Sequence, residues 1–370
     1  MDISGRLEEF KSGMRPRIAE WRFMLRRLRK SKLAMAGIII IVSFIVMGIT
    51  APLLAPPQHP DPFQIPQDND MQRVDTHPTP PTTRHIFGTT ENSYDLYYGC
   101  IWGSITAFRT GVLVVAVSLI IGLLIGVAAA FYGGLLDEIL MRFTDIIIAF
   151  PGLILAMALR LAFPTTLGID VSMLIVIFSL LIAIVFVLLR PDRRLILTLL
   201  MIMIAGLLLV FYSPIVLNIT LGDLDKVLIA ITLVGWPGYA RVIRGEVLRI
   251  KNEDYIEASR ASGSSDIRTI FKHILPNGIY PLIIVATLDI GSIVLTAAAM
   301  SFLGLGAPDY FADWGQIISK SRDWVTSASA ISRNFHAFFI PGLFITTFVV
   351  GWNLLGDALR DVLDPMLRRR

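Results

Sequence analysis

Thr106–Phe131 reads TAFRTGVLVVAVSLIIGLLIGVAAAF, 26 residues with a single charge, Arg109. A helix of about 20 apolar residues crosses the hydrocarbon core of a bilayer, so this run is long enough to span one. Its character is general along the chain. Apolar residues make up 54% of 370 and charged residues 17%, with a mean hydropathy of +0.67. A soluble domain carries about 25% charged residues. Lipid therefore explains the composition better than an unusually large core.

Outward from that run, charges and prolines divide the chain. On the N-terminal side, residues 1–32 form a basic segment with ten Lys/Arg against four Asp/Glu. Within it Trp21–Lys32 mixes apolar and basic residues at helical spacing, as a helix lying on the inner membrane face would. Such a basic face could contact nucleic acid, but it abuts hydrophobic spans, and the positive-inside rule accounts for it. A first anchor runs over Leu33–Leu54 and ends at Pro52, Pro56 and Pro57. It is longer than a signal-peptide core and lacks a small-residue cleavage site, so it reads as retained. Residues 55–105 then form a polar, proline-rich, cation-poor external loop. Across Pro56–Pro81 no helix or strand period persists, and an extended course is expected.

On the C-terminal side, Gly133–Gly134 ends the quoted span, and Asp137, Glu138 and Arg142 mark a short inner turn. A third span covers Phe143–Ala162, kinked by Pro151. Val171–Leu189 and Leu195–Tyr212 follow, joined by Arg190-Pro-Asp-Arg-Arg194. The remaining spans are Val227–Ile243, Gly278–Phe302 and Phe338–Leu355. A polar external loop, Gly304–His336, separates the last two. The fold expected is an all-α polytopic transmembrane bundle of eight spans, its permease-like body covering 106–365. An even number puts both termini on one side, and both termini are basic, ending in Arg368, Arg369 and Arg370. Both are placed inside, with 133–142, 190–194 and 244–277.

Glu246–Asn277, EVLRIKNEDYIEASRASGSSDIRTIFKHILPN, is too polar to span and too patterned for a random loop. A short helix is predicted over Asp254–Ser262, ended by Gly263 in the left-handed conformation. A second is predicted over Asp266–Leu275, with Asp266 at its positive end and Pro276 closing it. Ile267, Ile270, Phe271 and Ile274 fall on one apolar stripe. Ala258 and Ala261 are small enough to let a partner surface approach.

Glu257-Ala258-Ser259, then Gly263, then Ile274-Leu275-Pro276 resemble the EAA signature of binding-protein-dependent ABC importer permeases. That pattern is Glu-Ala-Ala, three residues, Gly, and an apolar-Leu-Pro further on; Ser259 stands where the second alanine is usual. Val234-Gly-Trp-Pro-Gly-Tyr-Ala-Arg241 resembles the span entering the loop. His85-Ile-Phe-Gly-Thr-Thr90, Ser301-Phe-Leu-Gly-Leu-Gly306, Trp314-Gly315 and Asn353–Pro365 resemble the oligopeptide/dipeptide branch. The resemblance covers the first span and most of 85–365 except about 164–222. It implies a six-span core, which makes 171–212 an inserted hairpin, and that hairpin is predicted to pack on the bundle periphery, facing lipid or an accessory protein. It also implies that 246–277 docks on separate cytoplasmic ATPase subunits, with Glu257, Ala258, Ser259, Gly263, Ile274, Leu275 and Pro276 as the coupling residues. The implied partners are a second permease, two ATPases carrying ATP and Mg, and an external solute-binding protein. The implied cargo is peptides, with nickel and oligosaccharides carried by relatives.

No Gly-Lys dipeptide occurs, so the chain has no phosphate-binding P-loop and is not itself expected to hydrolyse ATP. There is no HExxH or GxSxG. The single cysteine, Cys100, excludes an intrachain disulfide and a cysteine metal cluster. Asp289, inside an apolar run, could line a translocation path or bond a neighbouring helix. Relatives often carry an acidic residue where this chain has Ala297. Asp145 and Arg160, near the ends of the third span, can snorkel. Gly122 and Gly126 have the spacing of close helix packing, and Asn218-Ile-Thr220 matches a glycosylation sequon. A secondary transporter would need repeated broken helices in matching halves, and no repeat is visible. A purely structural or assembly role would leave the EAA pattern unexplained.

Overall fold

The structure, a computed structural model, describes residues 27–68, 77–170, 216–325 and 328–363. The spans expected at Val171–Leu189 and Leu195–Tyr212 lie outside the described residues, as do residues 21–26 of the N-terminal segment. Twelve α-helices and one strand pair are described. Five helices are long and apolar enough to cross a membrane, and a sixth crossing is counted if one bent pair is a single span. The described chain divides into two compact units. One contains the residues up to Leu119 and from Ser264 on, the other Ile120–Gly263.

The first unit begins with 27–30, a helical turn, and α1, Lys32–Ile49. Ser31 caps α1 by accepting from the Ala34 N–H. A short α2, Ala51–Leu54, follows with Pro52 near its start, where a missing N–H costs nothing. The sequence starts the second span at Thr106, but α3 runs from Leu96 to Tyr132. The Asp95 carboxylate accepts from the Tyr98 N–H at 2.8 Å, which fixes the earlier start. Leu96, Tyr98, Cys100, Ile101 and Trp102 are buried in protein, so hydropathy alone underestimates this helix.

Among its described residues the proline-rich segment has no helix before residue 91, as expected, but those residues are packed rather than extended. Phe63 stacks on Phe311 at 5.4 Å, and Tyr98 Oη donates to the Pro62 carbonyl at 2.7 Å. Backbone bridges join Gln64 to Phe311 and Gln67 to Tyr94.

The expected polar loop Gly304–His336 is likewise corrected. It holds α11, Trp314–Ser321, a 3-10 turn Arg322–Val325, and the start of α12, Ala328–Leu363. Trp314 is 2% exposed. Its ring packs against Phe44, Phe344 and Phe348, and its Nε1 donates to the Cys100 carbonyl at 3.0 Å. Burying an indole needs such a partner for its N–H. α10, Tyr280–Phe302, completes this unit's long helices.

The second unit contains the end of α3, then α4 (Gly134–Ala149), α5 (Gly152–Ala162), α6 (Asp223–Lys251) and α7 (Asp254–Ala261). Asp137, Glu138 and Arg142 lie within α4 instead of forming a turn. The single kinked third span is also corrected, because α4 and α5 meet at 94°. Phe150 precedes Pro151 and is driven to extended geometry (φ −87°, ψ 143°), which ends α4 outright. α6 is longer than Val227–Ile243, since the expected charged segment continues it to Lys251. Gly122 and Gly126 do sit at a close crossing: a Cβ on Gly122 would lie 2.7 Å from the Trp236 carbonyl oxygen, and one on Gly126 would meet Ala240 and Ile243.

The one departure from an all-α chain among the described residues is a ribbon of β1, Thr166–Asp170, and β2, Val216–Thr220. They pair antiparallel, Thr166 opposite Thr220 and Asp170 opposite Val216. The two ends of the expected insertion 164–222 therefore leave and rejoin the chain at adjacent points.

Candidate functional site

Residues 246–251 belong to α6. Asn252 then caps α6 with its backbone N–H on the Ile250 carbonyl. Glu253 is extended (φ −81°, ψ 141°) and turns the chain into α7. Asp254 and Glu257 occupy the first turn of α7 and Arg260 the last, each at the end of the helix dipole that favours its charge. Ile256 is the one buried residue of the helix, 0% exposed. Glu257 and Ala258 are exposed and Ser259 is half-buried.

The C-terminal end follows the sequence expectation closely. Ser262 donates its N–H to the Ala258 carbonyl at 3.0 Å, and Gly263 donates to Arg260 at 2.9 Å. Gly263 has φ +78°. No atom lies within 4 Å of where its Cβ would be, so backbone conformation and not space selects glycine there.

Ser265 opens the second helix by accepting from the Arg268 N–H at 3.4 Å. Its course differs from the single Asp266–Leu275 helix expected. α8 covers Asp266–Thr269, a π-helical turn Ile270–Ile274, and α9 Leu275–Gly278. Pro276 does not close the element. It sits within the first two residues of α9, and the widened turn ahead of it accommodates a ring that a regular helix would clash with. The apolar stripe splits for the same reason. Ile270 and Ile274 are buried at 8% and 0%, whereas Ile267 and Phe271 are 68% and 64% exposed. Leu275 and Pro276 are half-buried.

Glu257, Ala258, Ser259 and Gly263 thus fall in one compact unit, and Ile274, Leu275 and Pro276 in the other. The chain passes between the units at Gly263–Ser264. Asp289 is half-buried on α10 and is not an isolated charge.

Several contacts behind α7 were not singled out from the sequence. Arg244 forks onto Asp137, Nε to Oδ1 and Nη2 to Oδ2, both at 2.7 Å. Arg241 Nη2 donates to Asp145 Oδ1 at 2.6 Å, so Asp145 is paired instead of snorkelling alone. Arg160 likewise donates to Asp223 at 3.1 Å. Lys251 Nζ donates to the Ala130 and Phe131 carbonyls at 3.2 and 2.9 Å. Net charge reports the sign of such residues but not their partners.

The first unit holds a second polar cluster, on the His85–Thr90 block. His85 is 6% exposed. Its Nδ1 lies 2.8 Å from Asp95 and its Nε2 3.2 Å from Asp68. Arg84 also pairs with Asp68, at 3.2 Å. Gln58, Gln67 and these four residues line a cavity of about 420 Å³. Among the described residues no cluster of His, Cys, Asp and Glu could hold a metal ion.

Residues 118–369 match the family described as binding-protein-dependent transport system inner membrane component. Residues 20–81 match the N-terminal transmembrane domain of oligopeptide transport permease C. The chain is 31% identical over 351 residues to a dipeptide transport system permease protein of Alkalihalophilus pseudofirmus, covering 95% of this chain and 91% of that one. It is 30% identical to the oligopeptide transport system permease protein of Bacillus subtilis, covering 94% and 90%. A glutathione transport system permease protein of Pectobacterium atrosepticum is 27% identical over 94% and 92%.

Proposed function

The chain belongs to the family of binding-protein-dependent transport system inner membrane components, and we propose that it is a permease subunit of an ATP-driven peptide importer whose α7 receives the stroke of separate ATPase subunits. The observation that carries this reading is α7 itself. It is an eight-residue helix, anchored by one buried isoleucine, presenting Glu257 and Ala258 to the outside of the fold and stopped by a left-handed glycine. Small side chains let a partner approach the backbone, and the exposed carboxylate offers a charge for it to pair.

Nucleotide-driven closure of two ATPases moves their contacts on this permease and on a second, related one, and the paired bundles alternate between inward- and outward-open states. ATP and Mg sit on the ATPases. An external solute-binding protein delivers the cargo. The Lys/Arg-rich segments 1–32 and 366–370 support a cytoplasmic position for both termini by the positive-inside rule, and that orientation has α7 on the side of the ATPases. Peptides are the proposed cargo because dipeptide, oligopeptide and glutathione permeases are all similar to this chain over at least 94% of its length. Asp289 is proposed to bond a neighbouring helix, with a place on the path as the other role open to it.

Purification of the tagged chain from native membranes tests the reading. An ATPase should be recovered with the wild type and lost from Gly263→Pro, whose ring fixes φ near −65° where +78° is required. Peptide transport that persists with no ATPase present would overturn it.

A further inference from the structure

An eight-residue helix is marginal on its own and bends where its flanking corner is free to bend. α7 follows α6 through a two-residue corner, Asn252–Glu253, so a load applied to α7 is partly spent in folding that corner unless the corner is braced. In the second unit, three separate ties brace it. Lys251, the last residue of α6, donates to two carbonyls at the C-terminal end of α3, groups that have no partner inside their own helix. Arg244, two turns earlier, forks onto Asp137 in the first turn of α4. Arg260, in the last turn of α7, places its guanidinium 5.0 Å from the centre of the Phe131 ring. All three converge on one short stretch, the turn from α3 into α4, where Gly133 and Gly134 both have positive φ.

The ties differ in kind, which separates them from incidental surface pairs. One is a bidentate, charge-assisted contact, one an ammonium on helix-end carbonyls, and one a cation over an aromatic face. Ala130 and Phe131, which Lys251 and Arg260 grip, are 0% and 5% exposed, so those two ties hold on to the buried frame. We propose that Arg244, Lys251 and Arg260 are positioning residues that lock α7 to the α3–α4 turn, so that a stroke on α7 is delivered to α3 and α4 as a single rigid displacement. This rests on the reading of α7 as the ATPase contact.

The test uses the complex isolated by a tag on this chain and reconstituted in vesicles, with peptide imported per ATP hydrolysed as the readout. Lys251→Met keeps the stem and removes the donor, and Asp137→Asn weakens the fork. Both should retain the ATPase in the complex while import per ATP falls roughly tenfold, within the usual range of a coupling between sites. Lys251→Arg and the exchanged pair Asp137→Arg with Arg244→Asp should recover most of that loss, which a merely structural role would not require. An import-to-hydrolysis ratio at the wild-type level in Lys251→Met, or an exchanged pair no better than Asp137→Asn, overturns the lock. Absence of any ATPase from the wild-type complex instead overturns the reading of α7, and the lock with it.

Discussion

The Arg260 guanidinium lies 5.0 Å from the centre of the Phe131 ring, joining the last turn of α7 to the last turn of α3. Phe131 is 5% exposed, whereas Arg260 is exposed. α7 is therefore held from its rim by a cation on an aromatic face and from beneath by Ile256, leaving Glu257 and Ala258 uncovered.

Ile256 is the larger of those two anchors. Ile256→Ala removes a fully buried side chain and should cost about 2–5 kcal/mol of local stability. The amides of 254–261 should then exchange faster with solvent than those of the middle of α6, and recovery of the ATPase should drop with them. Unchanged protection across α7 would show that Ile256 does not hold it.

Gly263 is limited by backbone conformation alone. Gly263→Ala should cost about 1–2 kcal/mol in left-handed strain. Gly263→Asn should cost less, because asparagine tolerates that conformation. ATPase recovery should rank glycine, asparagine, alanine, proline in descending order. An alanine variant at the wild-type level would mean that the turn re-forms without positive φ.

Gly126 reports on the second unit's helix crossing. Gly126→Leu forces a side chain against Ala240 and Ile243, an overpacking cost of about 1–3 kcal/mol or more. The yield of folded protein and its thermal midpoint in detergent should both fall. An unaltered midpoint would contradict the crossing described.

Asp313 makes a pH prediction. Its carboxylate caps α11, with Oδ1 accepting from the Gln316 N–H at 2.9 Å, and burial raises its pKa above the ordinary aspartate value. A raised folded-state value means the folded protein holds its proton to higher pH than the unfolded chain does. The stabilisation is then fully present below about pH 4, the unfolded value, and is lost as pH rises through the folded one. Asp313→Asn keeps an acceptor for the cap and removes the buried charge. The wild type should gain thermal stability as pH falls toward about 4, and the variant should lack that gain. An equal response in both proteins would contradict it.

The helix–glycine–helix element was legible because its signals are local. Acidic residues open α7, Gly263 ends it, and both act through the backbone of their own turn. The π-helical turn at 270–274 was not legible, because Pro276 alone does not say whether a helix stops or widens ahead of it. Span centres could be read from hydropathy, but the ends of α3 and α6 could not. Most of Leu96–Trp102 is buried in protein, and Arg244 and Lys251 find partners on other helices, neither of which hydropathy records. The pairing of Arg244 with Asp137 joins residues more than a hundred apart, and no local pattern announces it. The packing of Trp314 onto Phe44 and Phe348 was hidden in the same way, since a polar stretch around Trp314 looks like a loop.

Thiol labelling at position 258 bears most directly on the central claim. With Cys100→Ser as background and Ala258→Cys as the only thiol, intact cells are exposed to a membrane-impermeant reagent, and inverted vesicles to the same reagent. The account predicts no labelling in cells, ready labelling in stripped vesicles, and protection when the ATPase is added back. Labelling of Ala258→Cys from outside intact cells would contradict it.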